Sequence, residues 1–271
     1  MSNQILSPRS DFIFKLIFGS EANADILAAF LRSILDLPES EYDTLTIIDP
    51  HLKRESSDGK MSVLDVKLRT KSGRIIDIEI EVSGIPEMRE RVVYYTARMI
   101  TDQISKGESY SVIKKVVSII ITDYILIDEN EMYHNRYSLY DKKTSSEFTD
   151  IIEVDVLELP KLAPDGDGTE LSDWMRFMKP DTEEELSMLA QRSVPLNKAV
   201  GVLLDLSADE QTRLLYEAHE KARCDEASRT RGALIKVAKA MLTNGEPIEK
   251  IMLYTGLTRE EVDSLHDIMI G

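Results

Sequence analysis

One segment restricts what this chain can fold into more than any other: Val63-Leu-Asp-Val-Lys-Leu-Arg-Thr-Lys-Ser-Gly-Arg-Ile-Ile-Asp-Ile-Glu-Ile-Glu-Val82. Both halves alternate apolar and polar residues, the pattern of strands that bury one face. Lys71-Ser72-Gly73 between them suits a short hairpin connection. The register follows from burial, because a slip of one residue turns every side chain to the opposite face. A loop at Lys71-Ser72-Gly73 sets Leu64 against Ile80, Val66 against Ile78 and Leu68 against Ile76, all apolar and on one face. The slipped pairing sets Val66 against Glu79 and Leu68 against Asp77, which wastes that burial. The first register is therefore expected.

The other face then carries Lys67 opposite Asp77, Asp65 opposite Glu79, and Val63 opposite Glu81. Directly opposed carboxylates repel, and one of them would ordinarily take up a proton. A hard divalent cation, Mg2+ or Mn2+, removes the conflict, because it takes carboxylate oxygens and keeps positions open for water and phosphate. Two readings fit this face: a solvated surface on which Lys67 and Asp77 pair, or a metal site in which Asp65 and Glu79 are the ligands.

Around the hairpin, helical spacing predicts helices over Asp11 to Phe18 and Ala24 to Leu35, and again from Met88 to Lys106, stopped by Gly107. Extended runs are expected from Leu45 to Leu52, Val116 to Leu126, Tyr133 to Tyr140 and Ile151 to Leu159. The continuous β-branched character of Val116 to Leu126 marks a buried central strand. The order predicts an α/β or α+β core in which a meander is crossed by one long helix. Pro160-Lys-Leu-Ala-Pro-Asp-Gly-Asp-Gly168 breaks the pattern, and beyond it the chain reads as helical. We therefore place one domain over residues 1–162 and a helical region over 163–271.

The charge balance constrains partners. The net charge of −16 argues against a broad nonspecific grip on nucleic acid. It is uneven, however: residues 1–125 carry −3 and residues 126–271 carry −13. DNA binding by such a chain is expected to be weak, metal-dependent and salt-sensitive. Cys224 is the single cysteine, which excludes an internal disulfide and a cysteine-rich zinc site. No apolar run approaches the roughly 20 residues that cross a bilayer. The opening residues MSNQILSPRSDF lack the regions of a secretory signal. A cytoplasmic protein without membrane contact is expected.

An aspartate in Leu-Asp-Val, a glycine-containing turn, and Ile-Glu-Ile-Glu on the next strand resemble the PD-(D/E)xK nuclease superfamily. More narrowly, the chain is similar to the Rpn family of recombination-promoting nucleases and transposase-like proteins. Ser10-Asp-Phe-Ile-Phe-Lys-Leu-Ile-Phe-Gly19 resembles that family's opening element. Arg91-Val-Val-Tyr-Tyr95, followed by Gln103, Gly107 and Tyr110, resembles its central helix. The resemblance spans about Leu6 to Leu162. It implies a restriction-endonuclease-like mixed sheet flanked by helices, and metal-dependent hydrolysis of DNA phosphodiesters linked to recombination or mobile elements. It also implies that Asp65 and Glu79 are the metal ligands.

Glu81 falls where the superfamily holds Lys and this family commonly Gln. A cation there would orient water and balance developing charge, whereas Glu81 adds negative charge. It is expected to be an extra ligand or a general base, or else to mark weakened activity. Under that second outcome the chain would be a nuclease-fold module that binds nucleic acid or protein without turnover. Lys67 is a candidate to supply the positive charge, or else it pairs with Asp77. Accessory candidates are Asp11, which otherwise favours its helix's positive end, Arg91, on a phosphate or a carboxylate, and Gln103. The tyrosines at 94 and 95 are expected in the core. His51, His134 and His219 show no metal-ligand spacing.

Residues 233–269 form a separate pattern. Asn244-Gly245 stops one helix, Pro247 starts a second, and Thr258 with Glu261 reads as a capping box for a third. The arrangement resembles a helix-turn-helix. Its last helix, Arg259-Glu-Glu-Val-Asp-Ser-Leu-His-Asp, is acidic, which opposes insertion into DNA. A packing or homo-oligomerisation role is the favoured expectation for this region.

Overall fold

The computed structural model describes residues 5–48, 65–84, 87–180 and 182–270. Among these, contacts divide the chain into two units, Met1–Arg213 and Leu214–Gly271.

In the first unit, α1 (Asp11–Phe18) and α2 (Ala24–Ile34) precede β1 (Thr46–Ile47), β2 (Val66–Arg69) and β3 (Ile75–Glu81). Then come α3 (Met88–Thr101), β4 (Val116–Thr122), β5 (His134–Tyr140) and β6 (Glu147–Glu158), followed by α4 (Glu170–Met178), α5 (Glu183–Ala190) and α6 (Val194–Ala208). The strands form one six-stranded sheet in the order β1-β2-β3-β4-β6-β5. β3, β4 and β6 run parallel, and the outer pairings are antiparallel. Parallel neighbours need a crossover connection, and α3 supplies it between β3 and β4. The expected meander crossed by one helix is therefore a mixed sheet.

The hairpin has the register that burial requires: Val66 faces Ile78, Lys67 faces Asp77, and Leu68 faces Ile76. The loop closes through Thr70 N–H to Arg74 O at 3.0 Å, with Gly73 at φ +91°, a left-handed conformation that suits glycine. The Glu41 carboxylate clamps this turn. It accepts from the Ser72 hydroxyl at 2.8 Å and the Ser72 N–H at 3.2 Å, and also from the Thr70 hydroxyl. The expected Leu64–Ile80 and Val63–Glu81 pairs, His51, and the second half of the run from Leu45 to Leu52 lie outside the described residues.

The polar face of β3 is not solvated. Asp77 is 1% and Glu79 6% exposed. In the parallel register Ile75, Asp77 and Glu79 share a face with Val116, Ser118 and Ile120, and α3 covers that face. Met99 packs with Ile75 and Val116, Met88 and Val92 pack with Ile120, and the Thr96 and Ser118 hydroxyls bond at 2.8 Å. A surface ion pair is thereby corrected to a buried acidic row, because the crossover helix lies over it.

The N-terminal helices build an aromatic core. Phe18 and Phe30 meet Trp174 edge-on at 6.0 and 5.7 Å. Trp174 lies on α4, and α4, α5 and α6 belong to the same unit as the sheet. The division by contacts at Arg213 differs from the boundary we placed at 162 for this reason. α3 also stops at Thr101, short of Lys106, and Tyr94 is 56% exposed rather than in the core.

The 34-residue helix α7 (Glu210–Thr243) carries the chain from the first unit into the second. There α8 (Ile248–Thr255) and α9 (Arg259–Ile270) join its last turns around Ala238, Ile251, Leu257 and Val262. Gly256 ends α8 at φ +65°. The capping box is present: Glu261 N–H donates to Thr258 Oγ1 at 3.3 Å, and Thr258 N–H to Glu261 Oε2 at 2.9 Å.

Candidate active site

The candidate site lies where the hairpin meets α1 and α3. Continuing the hairpin register by one residue sets Asp65 across from Glu79, though the paired ladder itself stops at Val66. Asp65 is fixed by its neighbour strand, since Ile80 N–H donates to its Oδ2 at 3.0 Å. Its other oxygen receives Lys15 Nζ at 2.9 Å. Lys15 reaches there from α1, where it also lies 3.8 Å from Asp11 one turn earlier.

Glu79 and Glu81 point the same way along β3, two residues apart, and Arg91 on α3 spans them. Its guanidinium lies 3.8 Å from Glu79 Oε2 and 3.7 Å from Glu81 Oε2, and sits over the Tyr95 ring at 5.4 Å. Glu81 also accepts from Ser83 N–H at 2.9 Å.

Burial sets the electrostatics. It pushes Glu79 up from 4.5 to about 7, with the Asp65 charge adding to the shift and Arg91 opposing it. Asp77 is pushed well above the usual carboxylate range, first by burial and then by Glu79 and Asp65. Glu81 is raised as well, mainly by burial. These carboxylates have been taken out of water without full compensation, an arrangement characteristic of functional sites. Two buried oxygens, Glu79 Oε1 and Asp77 Oδ1, have no hydrogen-bond partner among the described residues. Orphaned carboxylate oxygens beside acidic neighbours are of the donor type that a hard divalent cation takes. As it stands, no three metal-ligating side chains among the described residues are close enough to hold an ion. Lys15 and Arg91 compensate the acids instead.

Of the residues selected from the sequence, Asp65, Glu79, Glu81, Asp11 and Arg91 come together here. Lys67 is buried and faces Asp77, whose acidity its charge partly restores. Gln103 does not join them. It sits at the opposite end of β3, donating to Lys114 O at 3.1 Å and accepting from Lys114 N–H at 2.8 Å, and so fastens the approach to β4. Lys15 was missed as a site residue, although it stands four residues after Asp11 within the aromatic opening element.

A mixed sheet with an acidic hairpin under a crossover helix defines the restriction-endonuclease-like class. A family model described as PD-(D/E)XK nuclease family transposase matches residues 8–233. The chain belongs to that family. A second model, the C-terminal helix-turn-helix domain of the Rpn/YhgA-like nuclease family, matches residues 231–267. Neither the curated proteins nor the solved structures give a significant match. Among the described residues, no helix is long and apolar enough to cross a membrane.

Proposed function

We propose that this chain is a metal-dependent DNA endonuclease acting in recombination or on mobile elements. The supporting observation is that Asp65, held by the backbone of β3, acts electrostatically on Glu79, whose buried Oε1 lacks a hydrogen-bond partner among the described residues. These two would hold Mg2+ or Mn2+. When bound, the ion polarises a phosphodiester and lowers the pKa of an attacking water. Glu81, less buried than Glu79, would serve as a third ligand or as the general base. Lys15 carries, from another element, the positive charge that the Glu81 position lacks; beside Asp65 it balances charge developing on the phosphate. Lys67 acts as Asp77's partner rather than on substrate.

Supercoiled plasmid tests the reading. Wild-type protein should nick it with Mg2+ or Mn2+ and not in chelator, and Asp65→Ala or Glu79→Ala should abolish nicking. Equal cutting by the variants, or none by the wild type under any divalent ion, would overturn it.

A second reading is favoured by the cations already in place. Lys15 and Arg91 compensate the acids, as they would in a nuclease-fold module that binds nucleic acid without cutting it. DNA binding that is unaffected by chelator, without turnover, would support that reading.

A further inference from the structure

The C-terminal unit carries a charge asymmetry that runs against the rest of the chain. Residues 221–243 of α7 hold six Lys or Arg against two Asp or Glu, in a protein of net charge −16. Residues 244–271 reverse the balance, with six acids and two bases. The single cation of α9, Arg259, is tied to Glu249. The helix expected to enter a DNA groove is therefore the acidic one, and the basic surface lies on α7.

The α7 cations are arranged rather than scattered. At about 100° per residue, Lys221 and Lys239 share one angle, with Arg229 and Lys236 within about 80° of it. All four are exposed. Lys221, Lys236 and Lys239 form no ion pair among the described residues, and Arg229 meets only Glu226 at 3.6 Å. The centre of the stripe lies about 100° around the helix from the centre of Ile235, Ala238 and Leu242, which pack against α8 and α9. It runs about 27 Å, the length of roughly eight base pairs of duplex.

We propose that this stripe, Lys221, Arg229, Lys236 and Lys239, grips the phosphate backbone of duplex DNA, while α9 serves packing. Four helical cations with one acid, Asp225, among them leave a net positive row that matches a row of phosphates in sign and length. Between the four lie Asp225, Ser228 and Gly232, which give no apolar surface for a bilayer interface. The inference rests on DNA as the partner in the function proposed above, but it needs no turnover.

The test uses the full chain in chelator, so that cleavage plays no part, with a labelled 30-base-pair duplex followed by fluorescence anisotropy. Substituting all four, K221Q/R229Q/K236Q/K239Q, should weaken binding roughly 10- to 100-fold and flatten the log–log salt slope by about 3 to 4. Arg259→Gln should change affinity less than about 2-fold on the same argument. An unchanged melting temperature confirms that the variant is folded. The proposal is overturned if wild type binds no duplex, if the variant keeps its affinity and slope, or if Arg259→Gln alone removes binding. It is also overturned if the stripe supports binding to phosphatidylserine vesicles instead of DNA. Stripe-dependent binding with no cleavage under any metal would sink the nuclease reading and leave this one standing.

Discussion

Lys15 Nζ lies 2.9 Å from Asp65 Oδ1, joining the first helix to the acidic strand end. The two residues are fifty positions apart in sequence, so the contact ties the aromatic opening element to the site as well as to the core. It also means that the protein enters any encounter with metal carrying its own counter-charge at Asp65.

Removing that charge should expose the acids. Lys15→Met is expected to lower the melting temperature of metal-free protein by a few degrees, since a partly exposed ion pair contributes about 1 kcal/mol at most. Mn2+ should then stabilise the variant more than it stabilises wild type, while nicking falls roughly 10-fold or more through loss of a charge-balancing group. Scanning calorimetry with and without Mn2+ checks this. Equal metal-induced shifts in the two proteins would show that Lys15 and the ion do not share a site.

Glu81 and Glu79 should separate under the same substitution. Glu79→Gln removes a proposed ligand and should abolish both Mn2+ binding and nicking. Glu81→Gln removes the charge but keeps the shape and should keep metal binding within about 10-fold, because a single peripheral oxygen is exchanged. Titration calorimetry on both variants decides it. Loss of metal binding in Glu81→Gln with retention in Glu79→Gln would reverse the assignment.

The metal-free protein should lose stability as pH rises from the mildly acidic range to neutrality. Glu79 is raised to about 7 in the fold, chiefly by burial and next by Asp65. A carboxylate raised on folding contributes most below its unfolded value near 4.5 and loses that contribution as pH rises through about 7. Asp77 is shifted in the same direction, by burial first. Glu41 and Asp167 are lowered, so their losses come in acid, below this window. Thermal melts in chelator should therefore fall between about pH 4.5 and 7 and level off above, and Mn2+ should reverse the fall. A flat or rising curve in chelator would contradict the burial of these charges.

Gln103 and Glu41 should prove structural. Gln103→Ala is expected to cost about 1 kcal/mol through its Lys114 bonds while leaving nicking by folded protein within about 2-fold. Glu41→Ala strips the hairpin turn of a buried acceptor and should cost about 2–4 kcal/mol. Urea unfolding measures both. A large catalytic loss in fully folded Gln103→Ala would place it back in the site.

The hairpin register was legible because its reason is local: one pairing buries Val66, Leu68, Ile76 and Ile78 together, and its neighbour does not. The first helix and the Thr258–Glu261 capping box were legible for the same reason, since they rest on residues within a turn of each other. The burial of Asp77 and Glu79 was not. Alternation along a strand reveals two faces but not what covers each, and α3 crosses the acidic face through contacts made from Met88, Val92 and Met99. Lys15 was hidden similarly: within α1 it reads as a turn-neighbour of Asp11, and only the packing of that helix brings it to Asp65. The helices following Pro160 read as an appendage because a loop precedes them, whereas Trp174 anchors α4 among Phe18 and Phe30.

The central claim is that Asp65 and Glu79 together hold a divalent ion. Anomalous diffraction from crystals grown with Mn2+ tests it most directly. The expected result is a Mn2+ peak in contact with the carboxylates of both Asp65 and Glu79, with Lys15 displaced from its present contact. A peak bound elsewhere, or none at saturating Mn2+ with Lys15 still on Asp65, would contradict it.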